Sequence, residues 1–368
     1  MTSASKPPTL SKPLVFKGRG TASNTVGRFE DFTREMDDDG RGNLDLELPP
    51  LRTEVRIDTS KSILSYNQSP DIPYDRSINP YRGCEHGCVY CYARPSHAYL
   101  GLSPGLDFES KLFMKPDAAA LLRQELAKPG YQCAPIALGS NTDPYQPVER
   151  KHRLTRQILE VLWETRHPVT IITRSGLIER DLDILSQMAQ ANLVKAAVSV
   201  TTLDRQLART MEPRAPAPQR RLEAIAALAQ AGIPTTVMVA PVIPALNDSE
   251  IETILEAAAE AGAKTGYYVF LRLPRELVEL FENWLQQHVP LKAAHVMSLI
   301  KQSRGGKEYE AEFHSRMRGK GLFADMIRQR FKLAVKRLDM EHRTVLDTSQ
   351  FTPPEMTKNA TPQMGLFD

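Results

Sequence analysis

The chain has 368 residues, a formal net charge of +3 and a mean hydropathy of −0.36. Hydrophobic residues make up 41% of it and charged residues 25%, which is typical of a globular protein and excludes a chain that is disordered throughout. It has no apolar run of eighteen residues, so no membrane-spanning helix is predicted. Four cysteines are too few for a disulfide framework that would stabilise a chain of this size. We also expect no signal peptide. These features predict a cytoplasmic protein with reduced thiols.

The first 50 residues mix Pro, Gly, Ser and charged residues, including the run Asp37–Asp39, without a sustained apolar period. Segments of this composition bury too little apolar surface to fold alone, so we expect residues 1–50 to be mostly disordered. The segment from Gly18 to Glu30 is the exception, because it is predicted to fold against the core or against a partner.

Three of the four cysteines lie together as Cys84, Cys88 and Cys91, in a CxxxCxxC spacing. Three thiolates can hold one metal centre and leave a coordination position open. One interpretation is a zinc site completed by His86 or Cys133, although structural zinc modules usually have two separate ligand pairs. A 4Fe-4S cluster with one iron free for a small ligand fits the cysteine count better.

From about residue 75 onward, short β-rich runs alternate with amphipathic helices. Five buried strands are predicted from these runs. These five are 135–140, 169–173, 194–200, 235–240 and 266–271.

Apolar residues at helical spacing predict the intervening helices. One helix carries Ile158, Leu159, Leu162 and Trp163, and a second carries Leu222, Ile225 and Leu228 before a stop at Gly232. Ser249 and Glu252 suggest a capping box for a third helix, which carries Ile251, Ile254 and Leu255. Repeated strand–helix–strand units favour a parallel sheet with right-handed crossovers, either an open barrel or a doubly wound sheet.

The cysteine motif, with an aromatic residue before its third cysteine, resembles the signature of radical S-adenosylmethionine (SAM) enzymes. That resemblance implies a partial (β/α)6 TIM-type barrel over residues 51–300, with the cluster loop after a first strand near Ser77–Tyr81. It also implies a 4Fe-4S cluster held by Cys84, Cys88 and Cys91, and SAM as the second cofactor. In this superfamily the reduced cluster cleaves SAM to methionine and a 5′-deoxyadenosyl radical, so a reductant such as flavodoxin or ferredoxin is implied as a partner.

Within the superfamily the chain looks most like the spore photoproduct lyase branch, whose members repair a thymine dimer. The similarity covers about residues 77–244, and a group of uncharacterised bacterial relatives of the lyase shares the approach to Cys84. The positions that match the lyase are Cys88–Tyr92, Arg174, Ser199, Glu212–Pro213 and 231–241. The uncharacterised group also shares Arg76–Cys84, Ala93–Pro95 and His97–Tyr99.

Residues after each strand are the implied cofactor contacts. Where many relatives have a Gly-Gly-Glu segment for the SAM ammonium, this chain has Ser140, Thr142 and Asp143, although an Asx turn explains the segment too. Arg174 is placed at the SAM carboxylate, with a surface salt bridge as the alternative. The remaining implied contacts are Ser199, Thr201, Arg214 and Pro241. A structural role in the core is the alternative for each of them.

Three residues are implied in radical transfer. Tyr90 and Tyr92 match positions of a radical relay, while Asn141 occupies the register of the hydrogen-donor cysteine. Packing under the cluster explains Tyr90 equally well. An amide cannot return a hydrogen atom as a thiol does, and Cys133 is expected to precede the strand. The sequence therefore argues against spore photoproduct lyase activity itself.

The segment from Lys301 to Arg337 carries eleven Lys or Arg and four acidic residues. Such a patch, in a helical extension over residues 301–345, is predicted to contact nucleic-acid phosphates. The alternative is a solvated amphipathic helix whose Phe323, Met326, Ile327 and Phe331 face the core. The predicted phosphate contacts are Lys301, Arg304, Lys307, Arg316, Arg318 and Lys320.

Residues 346–368 are predicted to be a flexible tail. Its end, with Gln363, Met364, Leu366 and Phe367, resembles the peptide by which bacterial polymerases and repair proteins dock on the DNA sliding clamp. Apolar chain ends also arise without function.

Three functions fit the sequence. The first is a radical SAM enzyme acting on a nucleic-acid lesion or base. The second is a radical SAM enzyme acting on a peptide or metabolite. The third is a non-catalytic zinc or Fe-S protein recruited to the sliding clamp.

Overall fold

The computed structural model of the chain describes residues 18–29 and 51–355. The strands in these ranges are β1 (Glu54–Ile57), β2 (Leu64–Tyr66), β3 (Arg76–Ile78), β4 (Tyr81–Arg82), β5 (Lys111–Met114), β6 (Ile136–Leu138), β7 (Val169–Thr173), β8 (Val194–Ser199), β9 (Thr235–Val242) and β10 (Thr265–Phe270). The α-helices are α1 (Leu106–Ser110), α2 (Ala118–Leu126), α3 (Glu149–His152), α4 (Leu154–Glu164), α5 (Leu182–Gln190), α6 (Arg205–Met211), α7 (Pro218–Gln230), α8 (Ile251–Glu260), α9 (Leu277–His288), α10 (Pro290–Gln302) and α11 (Gly321–Arg337).

The main sheet has seven strands in the order β10-β9-β8-β7-β6-β3-β2. All neighbours from β3 to β10 are parallel, and β2 joins the edge antiparallel to β3. Helices in the crossovers cover the outside of this sheet. The six parallel strands confirm the predicted partial (β/α)6 barrel, so the loops that follow the strands converge at one end of it.

Burial of helix faces against the sheet builds the core. The face of α4 with Ile158, Leu159 and Leu162 is completely buried, as is the face of α8 with Ile251 and Ile254. Each such side chain contributes roughly 1.5–3 kcal/mol relative to an exposed one. The predicted helix spacings are thus confirmed, and Gly232 follows the end of α7 with φ of 76°, as a C′ residue does.

The predicted capping box at Ser249 is wrong. Ser249 lies inside a short 3-10 helix, Asp248–Glu250, and α8 begins at Ile251 without a side-chain cap. Glu250 instead turns back toward the preceding crossover, where it accepts hydrogen bonds from the Thr202 hydroxyl at 2.6 Å and the Leu203 amide at 2.7 Å.

The five predicted internal strands are all present, with boundaries that differ by at most two residues from the prediction. A second, three-stranded sheet of order β1-β5-β4 was not predicted. Its strands are short, and β1 is largely exposed, so it lacks the apolar pattern by which the other strands are recognised.

The basic region after residue 301 is part of the barrel rather than an appendage. Lys301 belongs to α10, and α11 packs against β10 and α8. Ile327 and Phe331 of α11 are buried as expected for an amphipathic helix, whereas Met326 is 40% exposed, contrary to the predicted face.

The tail begins later than predicted. Thr352 donates a backbone hydrogen bond to Thr165 at 2.9 Å, and Phe351 packs on His167 with ring centroids 5.3 Å apart. The clamp-like peptide with Gln363, Met364, Leu366 and Phe367 lies outside the described residues and stays a prediction. No helix within 18–29 and 51–355 is long and apolar enough to cross a bilayer.

Candidate active site

The cysteine loop follows the first parallel strand of the barrel and lies at the end of the sheet where the strands finish. Cys84 and Cys88 are buried and Cys91 is half-buried, and none of the three is in a disulfide. The loop turns twice, because Gly87 donates to the Cys84 carbonyl at 3.4 Å and Cys91 donates to the Cys88 carbonyl at 3.2 Å. Gly87 has a φ of 68°, which a residue with a side chain adopts only with strain.

Buried polar groups hold this loop in place. The Gln146 side chain accepts from the Glu85 amide at 2.9 Å and donates to the Gly83 carbonyl at 3.2 Å. On the other side, the Cys84 amide donates to the Phe108 carbonyl at 2.9 Å. The backbone of the loop therefore satisfies its hydrogen bonds within the protein, and the three thiols are presented from a fixed frame.

The N-terminal segment 18–29, here called the arm, packs directly against the cysteine loop. A Cβ atom on Gly20 would lie 1.7 Å from the Gly87 carbonyl oxygen, so only glycine fits there. Glu109 accepts from the Gly20 and Thr21 amides at 2.9 and 3.1 Å, and it also pairs with Arg94 in a fully buried ion pair. The arm therefore folds against the core, one of the two predicted possibilities.

Arg174, at the end of β7, reaches the second cysteine. Its Nη1 lies 2.9 Å from Cys88 Sγ, 2.6 Å from the Tyr90 hydroxyl and 2.8 Å from Glu212 Oε1. Burial raises the pKa of the Cys88 thiol to about 12 in the metal-free protein, and the Arg174 charge acts in the opposite direction. Arg174 alone therefore does not produce a thiolate at Cys88, which needs a bound metal as well.

Glu212 is the centre of a buried network beneath the loop. Its two oxygens accept from Arg174 and Arg221, from the Tyr90 hydroxyl and, at 2.8 Å, from the Thr201 hydroxyl. Both Glu212 and Arg221 are about 1% exposed. One carboxylate shared by two guanidinium groups leaves one net positive charge in the network.

The Asp143 carboxylate already has hydrogen-bond partners within the protein. It accepts from the Thr173 hydroxyl at 2.7 Å and from the Arg174 amide at 2.9 Å, and His86 Nδ1 lies 3.4 Å away. Burial alone would raise the pKa of Asp143, but His86 and these hydrogen bonds lower it to about 2. The buried Thr142 hydroxyl donates to a main-chain carbonyl at 2.9 Å. Both residues hold the loop together, and this geometry supports the turn interpretation more than the predicted ammonium contact.

Ser140, Asn141 and Tyr92 lie together near the rim. The Tyr92 hydroxyl donates to the Ser140 carbonyl, and the Asn141 amide donates to Asn79 Oδ1 at 2.8 Å. Asn141 is exposed and Tyr92 is 47% exposed. This group is accessible from the barrel mouth, unlike Tyr90, which is 5% exposed.

Of the other predicted cofactor contacts, three lie at or near strand ends and one pairs with the cysteine loop. Ser199 and Thr201 are buried at the end of β8, with Thr201 tied to Glu212. Pro241 lies near the end of β9, where its carbonyl accepts from Asn247 at 2.9 Å. Arg214 instead pairs with Glu85 at 3.0 Å on the cysteine loop, so it braces the loop.

Most of the basic side chains predicted to contact phosphates already have partners. Arg304 is 2% exposed and donates to main-chain carbonyls, among them that of Leu271 at 2.6 Å, so its prediction is wrong. Acidic residues pair with three others: Lys301 with Glu308, Arg316 with Asp71, and Lys320 with Glu310 and Glu312. Lys307 and Arg318 are exposed.

Comparison with known proteins identifies a family that part of the chain resembles. Residues 78–258 match the family model of the Radical SAM superfamily. This segment is just under half of the chain, so the match shows a likeness of this segment to the superfamily. The predicted resemblance is confirmed at this level.

The curated relatives of the chain differ in how much sequence they share with it. An uncharacterized protein of Mycobacterium tuberculosis is 41% identical over 222 residues, which are 60% of this chain and 65% of the relative. The chain thus spans about 65% of the length of its mycobacterial relatives. A radical SAM Nalpha-GlyT isomerase of Pseudomonas phage M6 is 26% identical over 186 residues, or 50% of this chain and 36% of the isomerase.

Among solved structures, a spore photoproduct lyase mutant with bound AdoMet and dinucleoside spore photoproduct superposes with a TM-score of 0.57. The superposition covers 80% of this chain and 82% of the lyase at 14% sequence identity. At that identity the likeness shows a shared partial-barrel fold and leaves the substrate open.

Radical SAM family members use a 4Fe-4S cluster and SAM, and the cysteine loop fits such a cluster. It offers three free thiols from a short, braced loop. No three His, Cys, Asp or Glu side chains among residues 18–29 and 51–355 surround a single metal-ion position. A cubane does not require that convergence, because each thiolate binds a different iron atom.

Sequence reasoning missed several residues of this radical SAM site. Glu212 was predicted only as a position that matches the lyase branch, and Arg221 was not predicted, because buried ion pairs have no periodic pattern in the sequence. Gln146 and Glu109 also escaped, since each acts through segments that are distant in sequence. The arm itself was predicted to fold, but its contact at Gly20 was not, because that contact depends on the Gly87 carbonyl of a distant segment.

Proposed function

We propose that the chain is a radical SAM enzyme in which Cys84, Cys88 and Cys91 hold a 4Fe-4S cluster. The observation that carries this proposal is the braced three-thiol loop at the ends of the parallel strands, with Arg174 against Cys88. When bound, the cluster supplies the electron that cleaves SAM to methionine and a 5′-deoxyadenosyl radical.

The residues of the chain have distinct tasks in this reaction. The three thiolates bind the metal centre and leave one position free for SAM. Arg174 stabilises the charge of the Cys88 thiolate, while Glu212 and Arg221 fix the direction of the Arg174 guanidinium. The arm and the buried loop keep water from one side of the site, which protects a reactive radical.

For the substrate we propose a nucleic-acid base or lesion. Support comes from the barrel shared with a lyase whose structures hold dinucleoside spore photoproduct, and from a relative named as an Nalpha-GlyT isomerase. The half-exposed Tyr92 beside the site suits a base, because aromatic rings stack on bases of any sequence.

The reaction differs from that of spore photoproduct lyase in its hydrogen donor. Asn141 occupies the expected position of the donor cysteine and is exposed at the mouth. Cys133 precedes β6 and lies near Arg76, the first residue of β3, so it is at the opposite end of the strands from the cysteine loop. The donor in this chain is therefore another group or a small molecule.

The test is anaerobic reconstitution with iron and sulfide, followed by reduction with dithionite in place of a protein reductant such as flavodoxin or ferredoxin. 5′-Deoxyadenosine is measured with SAM alone, with undamaged DNA and with ultraviolet-irradiated DNA. Cys88→Ala should lose both cluster and product, while Cys133→Ala, a thiol outside the loop, should retain both.

Each outcome separates the competing functions. Product that rises with damaged DNA supports the nucleic-acid reaction. Product that is indifferent to DNA favours a peptide or metabolite substrate. Bound zinc without iron after anaerobic purification would favour the non-catalytic metal protein.

A further inference from the structure

Arg272 lies just past the end of β10, at the mouth of the barrel. Its guanidinium carbon is 5.3 Å from the centroid of the Tyr92 ring, and Tyr92 directly follows the third cysteine of the loop. Among the residues that the structure describes, the one hydrogen bond of Arg272 joins its Nη1 to the sulfur of Met317, at 3.4 Å. Its Nε is buried and has no hydrogen-bond partner among residues 18–29 and 51–355. A buried donor without an acceptor costs about 1–3 kcal/mol unless a ligand completes it.

A second guanidinium group lies near Arg272, and Glu310 offsets the effect of Arg272 on it only in part. Arg304, which is almost fully buried, lies close enough that Arg272 adds to burial in lowering the Arg304 pKa to about 10. Arg304 donates to carbonyls of the main chain, and no carboxylate in the described ranges forms an ion pair with either arginine. Two neighbouring guanidinium groups in a partly buried setting favour the entry of an anion.

Arg174, at the end of β7, provides the contrast. Its guanidinium pairs with the Glu212 carboxylate at 2.8 Å and donates to Cys88 Sγ at 2.9 Å, so its Nη1 already has partners within the protein. Of Arg174 and Arg272, Arg272 is the one with an N–H donor that lacks a partner among the described residues. It lies at the barrel mouth beside the half-exposed Tyr92 ring.

We propose that Arg272, with the neighbouring Tyr92 ring, forms an oxyanion-binding site at the barrel mouth. In the nucleic-acid reaction proposed above, on which this inference rests, its ligand is a phosphodiester group of the substrate strand. A planar guanidinium suits two oxygens of one phosphate, and an arginine beside an exposed aromatic ring is a typical pair for binding single-stranded nucleic acid. The other oxyanion available at this site is the carboxylate of SAM.

The test measures binding of a fluorescent single-stranded oligonucleotide by anisotropy over a range of salt concentrations, with the reconstituted protein. Arg272→Gln is compared with wild type and with Arg275→Gln, which removes an exposed charge three residues away. Arg272→Gln should weaken binding at low salt at least about tenfold and reduce the slope of log affinity against log salt by about 0.7. Arg275→Gln should change both quantities less.

The outcomes distinguish this inference from the proposed function. Wild-type binding with an unchanged slope in Arg272→Gln overturns the Arg272 site and leaves the nucleic-acid function intact. Absence of oligonucleotide binding by wild type overturns both. SAM affinity is measured in parallel, and a loss of SAM binding with unchanged oligonucleotide binding would assign Arg272 to the cofactor carboxylate and overturn the phosphate assignment.

Discussion

Arg316 Nε lies 2.6 Å from Asp71 Oδ2, although the two residues are 245 positions apart in the chain. Asp71 belongs to the connection between β2 and β3 at one edge of the sheet, and Arg316 belongs to the loop after α10. The same loop pairs with the other edge, where the Phe270 amide of β10 donates to the Met317 carbonyl at 2.9 Å. The ion pair therefore closes the open side of the six-stranded barrel.

Arg316→Gln should loosen this closure. Asp71 is only 3% exposed, and it would keep the His314 amide at 2.6 Å but lose its charged partner. We expect a loss of about 2 kcal/mol in the free energy of unfolding and faster proteolysis within residues 303–320. Urea denaturation and limited proteolysis measure these effects. Arg318→Gln is the control, because Arg318 is an exposed residue of the same loop; an equal response in both variants would argue against the closure.

The barrel was predictable because its signals are local. The apolar run at Val169–Thr173 gives a strand with the predicted bounds, and the spacing in α4 and α8 gives helices that bury the expected faces. The cysteine loop was predictable because its three ligands lie within eight residues. Both depend on patterns that a short window of sequence contains.

The partners of polar side chains were not predictable, since they depend on contacts between distant segments. Arg304 and Arg316 belong to a segment whose composition is typical of a phosphate-binding patch. Arg304 nevertheless donates to main-chain carbonyls, and Arg316 forms an ion pair with Asp71. Asp143 has the position of a ligand residue but is occupied by His86 and Thr173. A net charge of a segment thus says little about which of its charges remain available.

Gly20→Ala should displace the arm from the cysteine loop. The added Cβ would lie 1.7 Å from the Gly87 carbonyl oxygen. This is a steric clash, and the backbone must move to remove it. We expect the variant to take up iron on reconstitution but to lose its visible cluster absorbance several times faster in air. Ser23→Ala, at an exposed position of the same arm, should behave as wild type. Equal rates of cluster loss in all three proteins would mean that the arm does not shield the site.

Glu212→Gln should destabilise the protein strongly. The substitution leaves the Arg174 and Arg221 guanidinium groups together without a carboxylate, in a region where Arg221 is 1% exposed. Removal of one member of a buried charge network costs about 3–5 kcal/mol. Glu179→Gln is the matched control, because it breaks the partly exposed pair with Arg220 and should cost less than about 1 kcal/mol. Urea denaturation under anaerobic conditions compares the two, and similar losses would contradict the central role of Glu212.

His167 should make the protein less stable at acidic pH. It is fully buried, with Nε2 2.8 Å from the Tyr131 hydroxyl and Nδ1 3.0 Å from the Pro168 carbonyl. Burial lowers its pKa to about 4, so the unfolded chain binds this proton more readily than the folded protein. The free energy of unfolding should therefore fall as the pH drops from about 6.5 to about 4, by at most about 3 kcal/mol from this residue.

His167→Gln tests this contribution, because glutamine retains hydrogen-bonding groups but does not titrate. Denaturation midpoints measured between pH 4 and pH 7 should vary less with pH in this variant than in wild type. The slope should not vanish, since burial also lowers the pKa of His97 to about 4. His295→Gln replaces an exposed histidine and should leave the wild-type slope unchanged. An unaltered slope in His167→Gln would show that His167 is not the group that titrates.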